Sequence, residues 1–108
     1  MTTQFKLSMH AVEKHLNVYD VRDVHDVHIS KFHNKRLMDD CVRECLDKPD
    51  EVKQKGKRTE VTKSFDYDIG ILGGYARRYS NRVKVVYRKT RRRHYVITAY
   101  PIAPTNEN

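Results

Sequence analysis

Three consecutive arginines and a histidine precede a strand-like run near the carboxyl end of the sequence, in the segment RRRHYVITAYP at residues 91–101. Histidine gains and loses a proton close to neutral pH. Arginine binds phosphate oxygens through paired N–H groups, and threonine and tyrosine hydroxyls donate hydrogen bonds. A segment with these residue types could hold a polyanion and transfer protons beside its phosphate groups.

Groups of this kind can cleave RNA without a metal ion. The 2′-hydroxyl attacks the neighbouring phosphorus, a base removes its proton, an acid protonates the leaving 5′-oxygen, and a cation stabilises the phosphorane. His94 is the first candidate for proton transfer, together with a helix histidine, because it adjoins the arginine run and lies near Thr98 and Tyr100. The sequence has six histidines in all: His10, His15, His25, His28, His33 and His94.

Each histidine also has a plainer interpretation. His10 and His15 are five residues apart, so on one helix they point in different directions and at most one faces a site. His25 and His28, in DVHDVH, could form a surface patch with the aspartates beside them. No set of histidines and cysteines has a firm metal-ligand spacing. The sequence therefore predicts no metal site and no cofactor.

The two cysteines, Cys41 and Cys45, are four residues apart, which is one turn of a helix. They belong to an apolar stripe at helical spacing, so we expect both to be buried core residues rather than a disulfide.

The net charge of +8 is concentrated in the second half of the chain. Residues 1–54 have a formal balance of −1, whereas residues 55–108 have a balance of +9. A field of one sign accelerates association with an oppositely charged partner, so the distribution favours nucleic acid over a merely solubilising surface. The predicted RNA contacts are one lysine, the clustered arginines and the tyrosines interleaved with them: Lys84, Arg77, Arg78, Arg91, Arg92, Arg93, Tyr75 and Tyr79.

The length of 108 residues predicts one domain, covering residues 1–104, with a frayed tail at 105–108. No apolar run approaches the roughly 18 residues of a membrane span, and the amino terminus lacks a secretory signal. We therefore expect a cytoplasmic protein without membrane contact, with delivery into a target cell as an open possibility.

Two helices are indicated by caps and apolar stripes. Ser8 is the predicted cap of a helix from Met9 to about Leu16, and Asn34 caps a helix over residues 35–47 that ends before Pro49. Residues 17–30 fit either an irregular strand or one helical stripe.

The second half of the chain is predicted to be β-rich after a basic connector, KQKGKR, at residues 53–58. Strands are expected at 59–63, 64–72, 82–88 and 94–100. This order predicts an α+β domain in which two or three amino-terminal helices pack on one face of a four-stranded antiparallel sheet. In the last strand, Tyr95, Ile97 and Ala99 should face the core, and the opposite face, which carries Thr98 and Tyr100, should stay partly open.

The order of several short segments resembles the barnase–EndoU–colicin–RelE superfamily of small ribonuclease toxins. These segments are the histidine-bearing helix at residues 10–16, LDKPDEV at 46–52, VKVVY at 83–87 and YVITAYP at 95–101. The resemblance implies metal-independent cleavage of tRNA or mRNA to a cyclic phosphate. It also implies a cognate antitoxin or immunity protein, which we expect to be acidic because the arginine loop is basic.

The resemblance also implies where the site lies. A helix histidine, His10 or His15, would act with Thr98 and Tyr100 on the last strand and with Arg88 or Lys84 on the facing strand. The histidine-rich stretch HDVHISKFH at residues 25–33 has no counterpart in this pattern. Which residue is the acid and which the base therefore stays open.

Two other functions fit the same composition. A non-catalytic nucleic-acid-binding module or regulator would depend on its arginines and tolerate the loss of single histidines. A protein-interaction domain would dock on the acidic surface of a partner.

Overall fold

The computed structural model describes residues 4–16, 30–72 and 78–103 of the chain. The predicted tail at 105–108 lies outside these ranges. The elements in chain order are β1 (Phe5–Leu7), α1 (Met9–Leu16), β2 (Lys31–Phe32), α2 (Lys35–Asp47), β3 (Glu51–Lys55), β4 (Arg58–Ser64), β5 (Gly70–Leu72), β6 (Arg78–Ser80), β7 (Arg82–Lys89) and β8 (His94–Ile102).

Both helices form where their caps predict them. The Ser8 hydroxyl accepts a hydrogen bond of 3.0 Å from the amide of Ala11, and the Asn34 side chain accepts one of 2.9 Å from the amide of Leu37. These bonds satisfy amides that a helix start leaves unpaired. In α2 the apolar stripe is buried: Met38, Cys41, Val42 and Cys45.

The predicted architecture, a single four-stranded antiparallel sheet with helices on one face, is wrong. The described residues form a five-stranded mixed sheet with the order β1-β8-β7-β4-β3 and a separate three-stranded antiparallel sheet with the order β2-β5-β6. A strand, β1, precedes the first helix and pairs parallel to β8. The missed strands have two to five residues each, too short or too polar to show an alternating pattern.

Two of the predicted segments differ for identifiable reasons. The basic connector KQKGKR is instead a hairpin, in which β3 turns into β4 at Gly56, whose φ of 61° favours glycine. All five residues of β3 are exposed and three of them are charged, so the sequence of the strand resembles that of a polar loop. The strand expected at 64–72 is reduced to β5, which begins at Gly70 and joins the smaller sheet.

The core lies between the two helices and one face of the larger sheet. Side chains from α1 and α2 meet those of β4, β7 and β8 there. Both cysteines are free and buried, and burial raises the pKa of Cys41 to about 12. The enclosed residues of this core include Ala11, Met38, Val42, Val61, Val83, Val85, Val96 and Ala99.

A β-bulge changes which side chains of β8 face this core. Val86 pairs with Thr98 but Tyr87 pairs with Val96, so Ile97 has no partner in the ladder. An extra residue of this kind shifts the alternation by one position. Val96 and Ala99 are therefore both buried, although strict alternation would put them on opposite faces, and Ile97 between them is half-buried.

The smaller sheet packs against the end of β8. Gly70 lies so close to the carbonyl oxygen of Lys31 and to the ring of Pro101 that an added Cβ would overlap both. The Ser80 hydroxyl donates a 2.6 Å hydrogen bond to the Ile102 carbonyl. These contacts fix β2, and with it Lys31, relative to the last strand.

Candidate active site

The parallel pairing of β1 with β8 places α1 alongside the last strand. Leu7 pairs with Val96, and the next residue, Ser8, donates its amide to the Val96 carbonyl (3.0 Å) and its hydroxyl to the Ile97 carbonyl (2.7 Å). Helix α1 thus begins beside the middle of β8. About two turns later His15 reaches the level of Tyr100.

The imidazole of His15 stacks on the phenol ring of Tyr100, with ring centroids 5.1 Å apart and planes at 28°. His15 is only 8% exposed. Its Nδ1 lies 2.8 Å from the carbonyl oxygen of Ser30. Because a carbonyl only accepts hydrogen bonds, Nδ1 carries the proton of the neutral ring and Nε2 carries the free lone pair.

Burial keeps His15 in the form that can accept a proton. Desolvation lowers the pKa of His15 below 6.5, the bond to Ser30 partly opposes this, and the nearby His10, Lys14 and Lys31 lower it further. A neutral imidazole at pH 7 with an unprotonated Nε2 is suited to act as a general base.

Lys84 places a cation beside the same tyrosine. The two residues are directly opposite each other on β7 and β8, so their side chains share the face of the sheet that points away from the buried Val83, Val85 and Ala99. The Lys84 ammonium lies 2.8 Å from one carboxylate oxygen of Glu60. This bond, and to a lesser extent the neighbouring Tyr100, raises the pKa of Lys84 and keeps it charged.

Glu60 lies between two lysines. Its second carboxylate oxygen is 2.9 Å from the ammonium of Lys55, and its side chain is 13% exposed. The contacts with Lys84 and Lys55 lower the pKa of Glu60 to about 2, so it stays a carboxylate at any pH where the protein would work.

A cavity of about 260 Å³ opens on this face of the sheet. The Thr62 hydroxyl beside it is buried and finds no hydrogen-bond partner among the described residues. Thr98 lies on β8 in the adjacent row, opposite Val86, on the same face as Tyr100. We call the group His15, Thr98, Tyr100, Lys84 and Glu60 the open-face site. The residues lining the cavity are Glu51, Lys53, Glu60, Thr62, Arg82, Lys84, Tyr100 and Ile102.

His94 lies at the opposite end of β8. It pairs with Lys89 and Phe5, and its ring meets the edge of Tyr87 at 4.7 Å. It is six positions from Tyr100 along the strand, which corresponds to about 20 Å. Arg88 pairs with Tyr95 and belongs to the same end. The structure therefore separates His94 and Arg88 from the open-face site.

The other predicted residues are distributed over the surface. His10 is exposed, with its ring 6.4 Å from that of His15. Arg91, Arg92 and Arg93 are exposed in the loop between β7 and β8. Arg78 and Tyr79 are exposed on β6 of the smaller sheet, whereas Tyr75 and Arg77 lie outside the described residues.

Lys31 and Glu60 are among the residues of this region that were not predicted from the sequence. Lys31, on the two-residue strand β2, lies close enough to lower the pKa of His15, and so short a strand gives no pattern. Glu60 is the only carboxylate of β4. The sequence did contain one indication of an ion pair, because Glu60 is a single acidic residue in an otherwise basic strand.

Neither a cluster of metal-ligating side chains nor a membrane-spanning helix is found in the described ranges. No group of three or more histidine, cysteine, aspartate or glutamate side chains there is arranged to hold a metal ion. None of the helices in these ranges has the length and apolar character needed to cross a bilayer.

The fold is similar to that of a known structure. The match is one chain in the crystal structure of a CdiA-CT/CdiI complex from Y. kristensenii 33638, at a TM-score of 0.66 and 15% sequence identity. It covers 87% of this chain and 99% of that one. No protein-family model and no curated protein matches the chain. The chain thus has the α+β fold of a component of a CdiA-CT/CdiI complex.

Proposed function

We propose that this protein is a metal-independent endoribonuclease toxin that cleaves tRNA or mRNA at the open-face site. The observation that carries the proposal is the stack of a buried, neutral His15 on Tyr100, directly across the strand pair from the Lys84 ammonium. A base, a hydroxyl and a cation on neighbouring elements are the groups that cleavage of RNA by its own 2′-hydroxyl requires.

The reaction follows from these positions. Nε2 of His15 takes the proton of the 2′-hydroxyl as the 2′-oxygen bonds to phosphorus. The bond from phosphorus to the 5′-oxygen breaks, and the Tyr100 hydroxyl supplies the proton for that oxygen. Lys84 stabilises the charge on the non-bridging oxygens, with Thr98 as a further hydroxyl donor. The products are a 2′,3′-cyclic phosphate and a free 5′-hydroxyl.

The remaining cations bind the rest of the RNA. Arg91, Arg92 and Arg93 form an exposed loop, and His94, Lys89 and Arg88 adjoin it. Their distance from Tyr100 fits contacts with flanking phosphates better than contact with the scissile one. Exposed Arg78 and Tyr79 on the smaller sheet would add phosphate and base contacts, as would Arg77 and Tyr75.

A protein partner belongs to the same proposal. The structure with the same fold is that of a complex between two components, CdiA-CT and CdiI. A cytoplasmic ribonuclease, whether made in the cell or delivered into it, needs an inhibitor in the producing cell. An acidic antitoxin or immunity protein would be complementary to the charge of +8.

The test is cleavage in the absence of metal ions. Purified protein is incubated with total tRNA and with mRNA in EDTA, and the fragment ends are analysed. We expect discrete fragments ending in cyclic phosphate. Intact RNA would contradict the proposal, and intact RNA that is shifted on a gel at low salt would favour the non-catalytic binding module instead.

A further inference from the structure

Glu60 puts a negative charge on the face that has to accept phosphate. It lies on β4 opposite Val86, diagonal to Lys84 and in the row of Thr98. A carboxylate here repels RNA, so its presence does not improve binding of the substrate.

Glu60 lies between two lysine side chains and is less exposed than a typical surface ion pair. Its Oε1 lies 2.8 Å from the Lys84 ammonium and its Oε2 lies 2.9 Å from the Lys55 ammonium, where the attraction is that of an ion pair because Oε2 accepts no well-directed hydrogen bond from the described residues. Exposed ion pairs contribute little and hold no fixed geometry. Here the Glu60 side chain is 13% exposed and that of Lys84 is 28% exposed, so both groups are confined.

An ammonium group has three N–H donors, and how they point depends on the acceptors around it. Glu60 takes one donor of Lys84, which sets the direction of the other two relative to Tyr100 and the cavity. Without this acceptor, the lysine chain has several rotamers and no fixed position for its charge.

We propose that Glu60 is a positioning residue, which holds the Lys84 ammonium beside Tyr100 so that the cation meets the phosphorane. The proposal rests on the ribonuclease function proposed above. At neutral pH Glu60 has no proton to donate, and its pKa of about 2 makes it too weak a base to take the proton of the 2′-hydroxyl. The arrangement weakens RNA binding while favouring the chemical step.

The test is the substitution Glu60→Gln, which keeps the shape and removes the charge. We expect kcat for a defined RNA to fall tenfold or more, because displacing a catalytic group by about 1 Å slows a reaction by up to roughly a hundredfold. We expect KM to stay unchanged or to fall, because one repulsive charge is lost. Loss of the repulsive charge affects KM whatever the role of Glu60, so the fall in kcat is the discriminating result, and an unchanged or higher kcat would overturn the proposal.

Glu51→Gln is the matched control. Glu51 lines the same cavity, but its side chain is 59% exposed. Its one ion pair among the described residues is long, with 3.8 Å between its carboxylate and the Arg82 guanidinium. Its removal deletes the same charge from the same face, so KM should stay unchanged or fall as with Glu60→Gln, while kcat stays unchanged. Lys55→Gln, at a lysine that is 66% exposed, should also leave kcat unchanged because the contact of Glu60 with Lys84 remains.

A second measurement separates this proposal from the ribonuclease function. NMR titration of the Lys84 side chain should show a lower pKa in Glu60→Gln than in the unmodified protein, since the bond to Glu60 raises it. Equal pKa values would overturn the positioning role even if RNA is cleaved. A lowered pKa in a protein that cleaves no RNA would uphold the contact and reject the ribonuclease. If Glu60→Gln unfolds, Glu60→Asp should give an intermediate kcat, and full activity of that variant would overturn the proposal.

Discussion

The rings of His15 and Tyr100 are stacked at 5.1 Å, although the two residues are separated by 85 positions in the sequence. The contact exists because β1 runs parallel to β8 and delivers α1 along the last strand. It gives one buried imidazole a place beside the open face, where Lys84 supplies a cation. Each property of this contact leads to a measurable consequence.

The hydroxyl of Tyr100 can be removed without disturbing the stack. In Tyr100→Phe the aromatic ring remains against His15, so thermal unfolding should be unchanged. The cleavage rate should fall by about a hundredfold, the effect typical of losing one donor to the transition state. Tyr95→Phe, at the His94 end of the same strand, is the control and should keep the full rate. Equal rates for both variants would contradict the role of Tyr100.

The arginine loop should contribute to binding and not to chemistry. Replacing Arg91, Arg92 and Arg93 with glutamine should weaken RNA binding. It should also make the plot of log affinity against log salt concentration less steep by about 2, because each phosphate contact to a single strand contributes roughly 0.7 to the steepness. The rate at saturating RNA should stay the same. A large loss of that rate would indicate that the reaction takes place near His94 and the arginine loop instead of at the open-face site.

The stability of the protein should depend on Glu60 in acid. Its pKa is lowered from 4.5 to about 2 by Lys84 and Lys55. A carboxylate whose pKa is lower in the folded state contributes stability above about pH 4.5, and this contribution is lost as the pH falls towards 2. Urea unfolding of the protein and of Glu60→Gln should therefore differ at pH 6 and converge near pH 2. A constant difference over this range would contradict the ion pairs.

The close approach at Gly70 connects the fold with the site. In Gly70→Ala the new methyl group would meet the Pro101 ring at 2.8 Å and also the carbonyl oxygen of Lys31. Forcing an atom into a packed position costs about 1–3 kcal/mol, which urea unfolding would detect. Because Lys31 is near His15, RNA cleavage should fall as well. Unchanged stability would show that the two sheets are less closely joined.

The helices could be predicted from the sequence because their signals are local. Ser8 and Asn34 are caps, the apolar residues of α2 repeat at helical spacing, and Pro49 follows the end of the second helix. The sheets were predicted incorrectly because β1 and β2 have three and two residues and β3 is fully exposed. The bulge at Val86 then reversed the faces expected for part of β8.

The candidate site was predicted only as a set of residues. His15, Thr98, Tyr100 and Lys84 were named, but proximity in the sequence gave most weight to His94, which adjoins the arginines. Proximity in space depends instead on the parallel pairing of β1 with β8, which no local pattern indicated. Glu60 was missed because its partners, Lys55 and Lys84, are on other strands.

The most direct test compares His15→Gln with His94→Gln in single-turnover cleavage of one defined RNA in EDTA. We predict that His15→Gln lowers the rate by about 10²–10⁴-fold, the usual contribution of a general base, and that His94→Gln leaves it unchanged. Loss of cleavage in His94→Gln with full activity in His15→Gln would contradict the assignment of the open-face site.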